Sequence, residues 1–240
     1  MRSIQNSSTL LTTKIMKPAS FYLHNWEYWT PDHPIEKSDT TPALLRRRVS
    51  SLGRHALSVA WELPEAANAR LILSSRHGEF SRTLSLLEAV NGQGELSPAD
   101  FTLSVHNALI GLLSIAHGNR RGHTAIAAGQ ESFCFGLLEA VAYLKENPDE
   151  PVLLIHFDEP LPGSFAEFNE PYEQPIVLAL ALGATGKNEM LQIDFESTPH
   201  EEKISCSHAQ DFLNFLMEDS IQEISMSADR QWRWKRNVLA

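Results

Sequence analysis

Residues 123–141 read HTAIAAGQESFCFGLLEAV. The opening HTAIA is a short β-compatible run, and SFCFGLLEAV carries straight on as an apolar run that suits a helix. Between them lie Ala127, Ala128, Gly129 and Gln130. A strand, a sharp turn and a helix is the setting in which many enzymes hold a nucleophile at a helix N-terminus. The turn contains no Ser and no Cys. The reading is of a nucleophile holder without its nucleophile.

The neighbouring segments supply the rest of a layered fold. RLILSS, residues 70–75, reads as a buried strand, and PVLLIHFDE, residues 151–159, as another whose unbroken apolar run implies burial on both faces. PIVLALALGA, from Pro175, is a further strand that stops at Gly183. Helices alternate with these strands. Thr41 and Pro42 open one through PALLRRRVSSLGRHALSVAWEL, with Leu44, Leu45, Val49, Leu52, Ala56, Val59 and Ala60 on one face. A second ends at Gly92 and Gly94. Ser97 and Pro98 begin the approach to a third from about Val105, and residues 132–147 form a fourth. The alternation predicts an α/β fold, a mainly parallel or mixed sheet with helices on both faces.

The two ends are less regular. Residues 17–41 place Trp26, Tyr28 and Trp29 among prolines and read as an irregular aromatic segment with one short strand. Beyond Lys187, LQIDFES reads as a strand, HAQDFLNFLMED as an amphipathic helix and RQWRWKR as a basic aromatic tail. Residues 1–16 read as a polar lead-in. Residues 17–240 are expected to form one domain, with 187–240 an extension of unassigned role.

The 240-residue chain is 42% hydrophobic and 21% charged, which suits a globular protein with a substantial core. Its formal charge of −10 repels phosphate backbones, so nucleic-acid binding is not expected. No apolar run is long enough for a membrane span, and the polar N-terminus lacks a signal peptide's apolar stretch. Cys134 and Cys206 form no CxxC or zinc pattern and fit a reducing compartment, so the chain reads as cytoplasmic and free of metal or cofactor.

Four stretches in order, LLRRRVSSLGRHAL, SSRHGEFSRTLSLLEA, LSVHNALIGLLSIAHG and FGLLEA, resemble the β-ketoacyl synthase family of the thiolase fold. More closely they are similar to its chain-length-factor subunits from aryl polyene and type II polyketide or fatty acid systems. The resemblance covers about residues 25–185 and implies a thiolase-like half-fold. It places the family's nucleophilic Cys at the turn described above. Counting forward from Gly118 lands on Gln130, and counting back from Gly136 lands on Ala128; neither is Cys. The family's chain is a duplicated pair of halves whose catalytic histidines lie in the second, and those motifs are missing here.

The resemblance therefore implies a subunit with no catalytic residue of its own. It would pair with an active, Cys-bearing ketosynthase and meet the acyl carrier protein and growing acyl chain through that complex. Val105, His106, Asn107, Leu109, Ile110 and Leu113, with Phe133, Phe135 and Leu137, are the expected acyl-tunnel or interface residues. Arg46, Arg47 and Arg48 are a solvated basic turn, or a carrier-protein docking patch. An alternative is an independent thioesterase or acyltransferase, using Ser132 or Cys134 with His106 or His123; another is a homodimeric scaffold. His156, Asp158 and Glu159 end a strand where α/β proteins place functional groups, but they lack a third convergent ligand for a metal and read as structural or surface polar residues.

Overall fold

A computed structural model describes residues 14–34, 41–92, 94–169, 173–187, 189–197, 207–228 and 230–237. In chain order the strands are β1 (Lys14–Ile15), β2 (Ala19–Trp29), β3 (Arg70–Ser74), β4 (His123–Ile126), β5 (Val152–Asp158), β6 (Ile176–Gly183), β7 (Glu189–Ser197), β8 (Gln222–Met226) and β9 (Arg230–Arg236). The helices are α1 (Ala43–Arg46), α2 (Ser51–Trp61), α3 (Phe80–Asn91), α4 (Pro98–Leu103), α5 (Ala108–His117), α6 (Ser132–Glu146) and α7 (His208–Met217). The strands make one nine-stranded mixed sheet in the order β4-β3-β5-β6-β2-β7-β9-β8, with β1 pairing β7.

The apolar runs dictate the layers. All eight residues of β6, IVLALALG, are buried, because α2 covers one face of the strand and α7 the other. Side chains alternate across a strand. On one face, Leu71 and Leu73 of β3, Leu153 and Ile155 of β5, and Val177 and Ala179 of β6 meet Leu52, Ala56 and Val59 of α2 and Leu109, Ile110 and Leu113 of α5. On the other, Ile72, Leu154, Leu178 and Leu180 meet Phe133 and Leu137 of α6 and Phe212 and Phe215 of α7. Helices lie on both faces, as expected.

The parallel part of the sheet is confined to β4, β3 and β5; the remaining ladders are antiparallel. The aromatic segment near the N-terminus is an eleven-residue strand at the centre of the sheet, not an irregular one. Its Phe21 and Leu23 enter the core, while Trp26 stacks on Tyr28 at 5.7 Å. The prolines that argued against a strand, Pro18 and Pro31, flank it.

The helix from Pro42 is two helices. Thr41 is not its cap. The chain breaks after α1, and Ser50 starts α2 by accepting from the Gly53 N–H at 3.0 Å. Leu44 is 75% exposed rather than buried. The third helix starts at Ala108, not Val105. The basic tail is the strand β9, whose Trp232 and Trp234 are fully buried. Its alternation of arginine and tryptophan is the period of a strand: Arg233 bonds Asp194 at 2.8 Å, and Arg230 pairs with Glu131 on the way into α6.

Candidate functional site

The parallel strands β3, β4 and β5 run in one direction, so their carboxyl ends share one edge of the sheet. Ligands in α/β folds favour that edge. Here it gathers Ser74, Ser75, Arg76, His156, Asp158 and the turn from β4 into α6.

The turn is built as the sequence predicts. Gly129 takes φ +59°, a conformation that L side chains rarely adopt. The Ser132 hydroxyl donates to the Gly129 carbonyl at 2.7 Å and accepts from the Ala128 N–H at 3.0 Å, locking the bend. Gly136, one turn into α6, lets the helix lie on β3: a Cβ there would sit 2.7 Å from Cβ of Ser74. Glu131 is held by Ser227 Oγ and Trp232 Nε1, each at 2.8 Å, and by Arg230. The elbow is thus rigid on both sides, and neither Ala128 nor half-exposed Gln130 supplies a nucleophile.

Under Gln130 lies a cavity of about 30 Å³, lined by Arg76, Phe133, His156, Asp158 and His208 among others. His156 is 4% exposed; its Nδ1 lies 3.0 Å from Ser74 Oγ and its Nε2 3.5 Å from Asp158 Oδ2. Burial, with His208 nearby, lowers the His156 pKa to about 3, so the ring is neutral and no ion pair forms with Asp158. Asp158 accepts from the N–H groups of Arg76 and His77 and from Ser75 Oγ. Burial nevertheless raises it to about 7 against those donors. At neutral pH His156 is therefore neutral and Asp158 about half ionised, on a floor that also carries the Arg76–Glu173 ion pair at 3.8 Å. His156 and Asp158, read from sequence as structural or surface polar residues at a strand end, are two of these groups; His208, distant in sequence, gave no motif.

The other expected residues fall into separate places. Leu109, Ile110 and Leu113 are buried in the core on one face of the sheet, and Phe133 and Leu137 in the core on the other. The sheet divides them. Phe135 is half-buried, its ring 5.5 Å from Trp232. Val105 is 46% exposed, Asn107 is exposed without a side-chain capping bond, and His106 Nε2 bonds the Ser75 carbonyl oxygen at 3.1 Å. Arg47 and Arg48 are exposed and Arg46 half-buried in and after α1.

Of the alternative nucleophiles, the Ser132 hydroxyl is committed to the turn. Cys134 is fully buried; desolvation, then Glu131 and Asp211, push its thiol well above the ordinary range. Cys206 lies outside the described residues. Among the described residues no His, Cys, Asp and Glu group could hold a metal ion, and no helix is long and apolar enough to cross a membrane.

One edge of the elbow is open. Among the described residues β4 ends the sheet, and all four of its residues are half-exposed. The Leu71 N–H bonds the Gly122 carbonyl and the Ser75 N–H bonds that of Ile126. In this parallel register the polar groups of Thr124 face β3, while those of His123 and Ala125 face away from the sheet.

Residues 23–235 match the family described as β-ketoacyl synthase, N-terminal domain. Among solved structures, a chain of the ketosynthase ApeO in complex with its chain length factor ApeC, from Xenorhabdus doucetiae, superposes with a TM-score of 0.74 at 24% identity. The overlap covers 94% of this chain and 100% of that one. The ishigamide ketosynthase/chain length factor matches at TM-score 0.55 and 10% identity, over 73% of this chain and 65% of that one. The AntDE:AntF complex, a type II polyketide acyl carrier protein with its ketosynthase bound to the hexaketide, matches at 0.54 and 12%, over 68% and 62%. None of the curated proteins matches. These likenesses give the fold, a thiolase-like half. The chain belongs to the β-ketoacyl synthase N-terminal domain family.

Proposed function

We propose that this chain is a non-catalytic ketosynthase-like subunit, a chain length factor, that pairs with a Cys-bearing ketosynthase in the cytoplasm and shapes the tunnel for its acyl chain. One observation carries the reading: a rigid nucleophile elbow whose turn holds Ala128 and Gln130 and whose nearby hydroxyl and thiol are both withdrawn from reaction. Condensation needs a thiolate that accepts an acyl group and is later displaced. An alanine methyl and a glutamine amide do neither.

The open edge of β4 supports pairing. An unpaired, half-exposed edge invites a strand from another chain. A second ketosynthase half presenting its own β4-equivalent would continue the sheet and bring its cysteine beside this elbow. Exposed Val105, Phe101 and Ile115 on and before α5 offer apolar surface for the partner. The acyl carrier protein would be met through the complex, with Arg47 and Arg48 available to an acidic partner.

The tunnel role narrows under the geometry. Leu113 is wholly buried in this subunit's own core, so its truncation costs stability before it changes a tunnel. Phe133 is equally buried at 1% exposure but, unlike Leu113, also lines the cavity under Gln130; it is the wall residue we assign to limiting a chain, and its truncation carries a stability cost as well. The test is reconstitution with a ketosynthase and carrier protein. Co-purification and longer products from Phe133→Ala are expected; failure to pair with any ketosynthase of its own organism contradicts the reading.

A further inference from the structure

The cavity under Gln130 holds a group that the elbow does not explain. His208, the first residue of α7, is 2% exposed and lines that cavity. Its Nδ1 lies 2.5 Å from Ser225 Oγ on β8, and the Ser225 hydroxyl donates to Asp211 Oδ2. A serine hydroxyl has one hydrogen. With that hydrogen given to Asp211, Nδ1 of His208 must carry a hydrogen and donate it to Ser225. Asp211 and Ser225 thereby fix the ring as the Nδ1–H tautomer.

The consequence falls on the far side of the ring. Burial holds His208 below its ordinary pKa against the pull of Asp211 and Glu131, so near pH 7 Nε2 is a bare lone pair. It is buried and makes no hydrogen bond among the described residues. Buried acceptors in native proteins rarely go without a donor. His156 and Asp158 of β5 line the same cavity, with Arg76, Gln130, Glu173 and Gln174, and its volume of about 30 Å³ has room for one water.

We propose that this cavity is a binding site for a single O–H donor, water in the chain by itself, with Nε2 of His208 as its acceptor. The Asp211–Ser225–His208 relay keeps the acceptor oriented, in the way a carboxylate behind an imidazole selects one tautomer. An apolar group entering beside Gln130 must displace this water and leave Nε2 without a donor, which disfavours its entry. The floor of the elbow is then selective for a hydroxyl-sized polar group. The inference concerns this chain alone and stands whether or not the chain pairs with a ketosynthase.

Histidine-selective 15N NMR of the full chain near pH 7 tests it. The expected spectrum has His208 protonated on Nδ1, Nε2 bare, and ring protons that cross-relax with a slowly exchanging water. A hydrogen on Nε2, or a ring with no water contact, overturns the proposal. Ser225→Ala removes the acceptor that fixes the tautomer, so the hydrogen is expected to shift toward Nε2; an unchanged tautomer overturns the relay. Asp211→Asn tests the relay from its half-buried end. The new amide donates to Ser225, whose hydrogen then turns to Nδ1, and the same shift is expected. A variant retaining the parent tautomer contradicts it.

Discussion

The two ends of the sheet are built on different principles. At the β4-β3-β5 end the strands are parallel, the edge carries no further strand among the described residues, and the carboxyl ends hold a polar crevice with serines, histidines and a half-buried aspartate. At the β7-β9-β8 end the strands are antiparallel. There Trp232 and Trp234 are fully buried, and Asp194 and Glu189 are bound to Arg233 and Arg236. Among the described residues the first end keeps unsatisfied capacity: an open ladder, a lone imidazole nitrogen, a turn with neither Ser nor Cys at its bend. The second is closed by packing and charge. On this contrast the C-terminal elements are expected to stabilise the fold, and the pairing proposed above to use the parallel end.

The largest effect is expected at the closed end. Trp234 packs edge-on against Phe212 at 5.4 Å and Phe133 at 6.5 Å, and its indole makes no hydrogen bond among the described residues, so its worth is packing. Trp234→Ala is expected to cost about 3–5 kcal/mol in denaturant unfolding. A loss below about 1 kcal/mol, the scale of an exposed site, would show that the C-terminal strands are an appendage.

At the open end the expected effect is on association instead. Ala125 faces its N–H away from β3, so Ala125→Pro removes an outward donor while sparing the ladder to Leu73. Co-purification with a ketosynthase should fall by about tenfold or more, the scale of one or two lost hydrogen bonds, while the melting temperature holds. Equal loss of both would mean that β4 is needed only for folding.

The polar floor makes a smaller, pH-dependent prediction. His156, depressed from 6.5 to about 3, contributes stability that is lost as pH falls through that window. Asp158, raised from 3.8 to about 7, contributes stability that is complete at low pH and lost as pH rises toward 7. Between about pH 4 and 6.5 the two slopes oppose. Asp158→Asn deletes the second, so the variant's stability should climb with pH by about 1.4 kcal/mol per unit relative to the parent. Urea unfolding across that range checks it, and parallel curves would refute the opposing pair. Smallest is Ser50→Ala, which removes the α2 cap and should cost about 1 kcal/mol in the same assay.

Much of this was legible before any coordinates. The β3, β5 and β6 strands announce themselves because burial on both faces demands unbroken apolar runs. The elbow is legible because a strand, Gly129 and a helix follow one another without a gap. What the sequence hid has physical causes. β2 carries polar residues and aromatics on a half-exposed central strand between prolines, so its pattern reads as irregular. The α1–α2 break is invisible in periodicity because Leu44 and Leu45 mimic a continuing face across it. The tunnel set looked coherent along the chain, yet α5 and α6 pack on opposite faces of the sheet, a fact of topology rather than spacing. His208 could not be found as a site residue, since only the return of α7 over the sheet brings it to β5.

On the proposed function, the reactive sulfur in the working complex belongs to another chain. Intact-mass analysis of this chain, incubated with a labelled acyl thioester alone and then with its ketosynthase, tests it directly. An acyl adduct is expected on the ketosynthase cysteine and none on this chain in either case. A covalent acyl group on the isolated chain contradicts it.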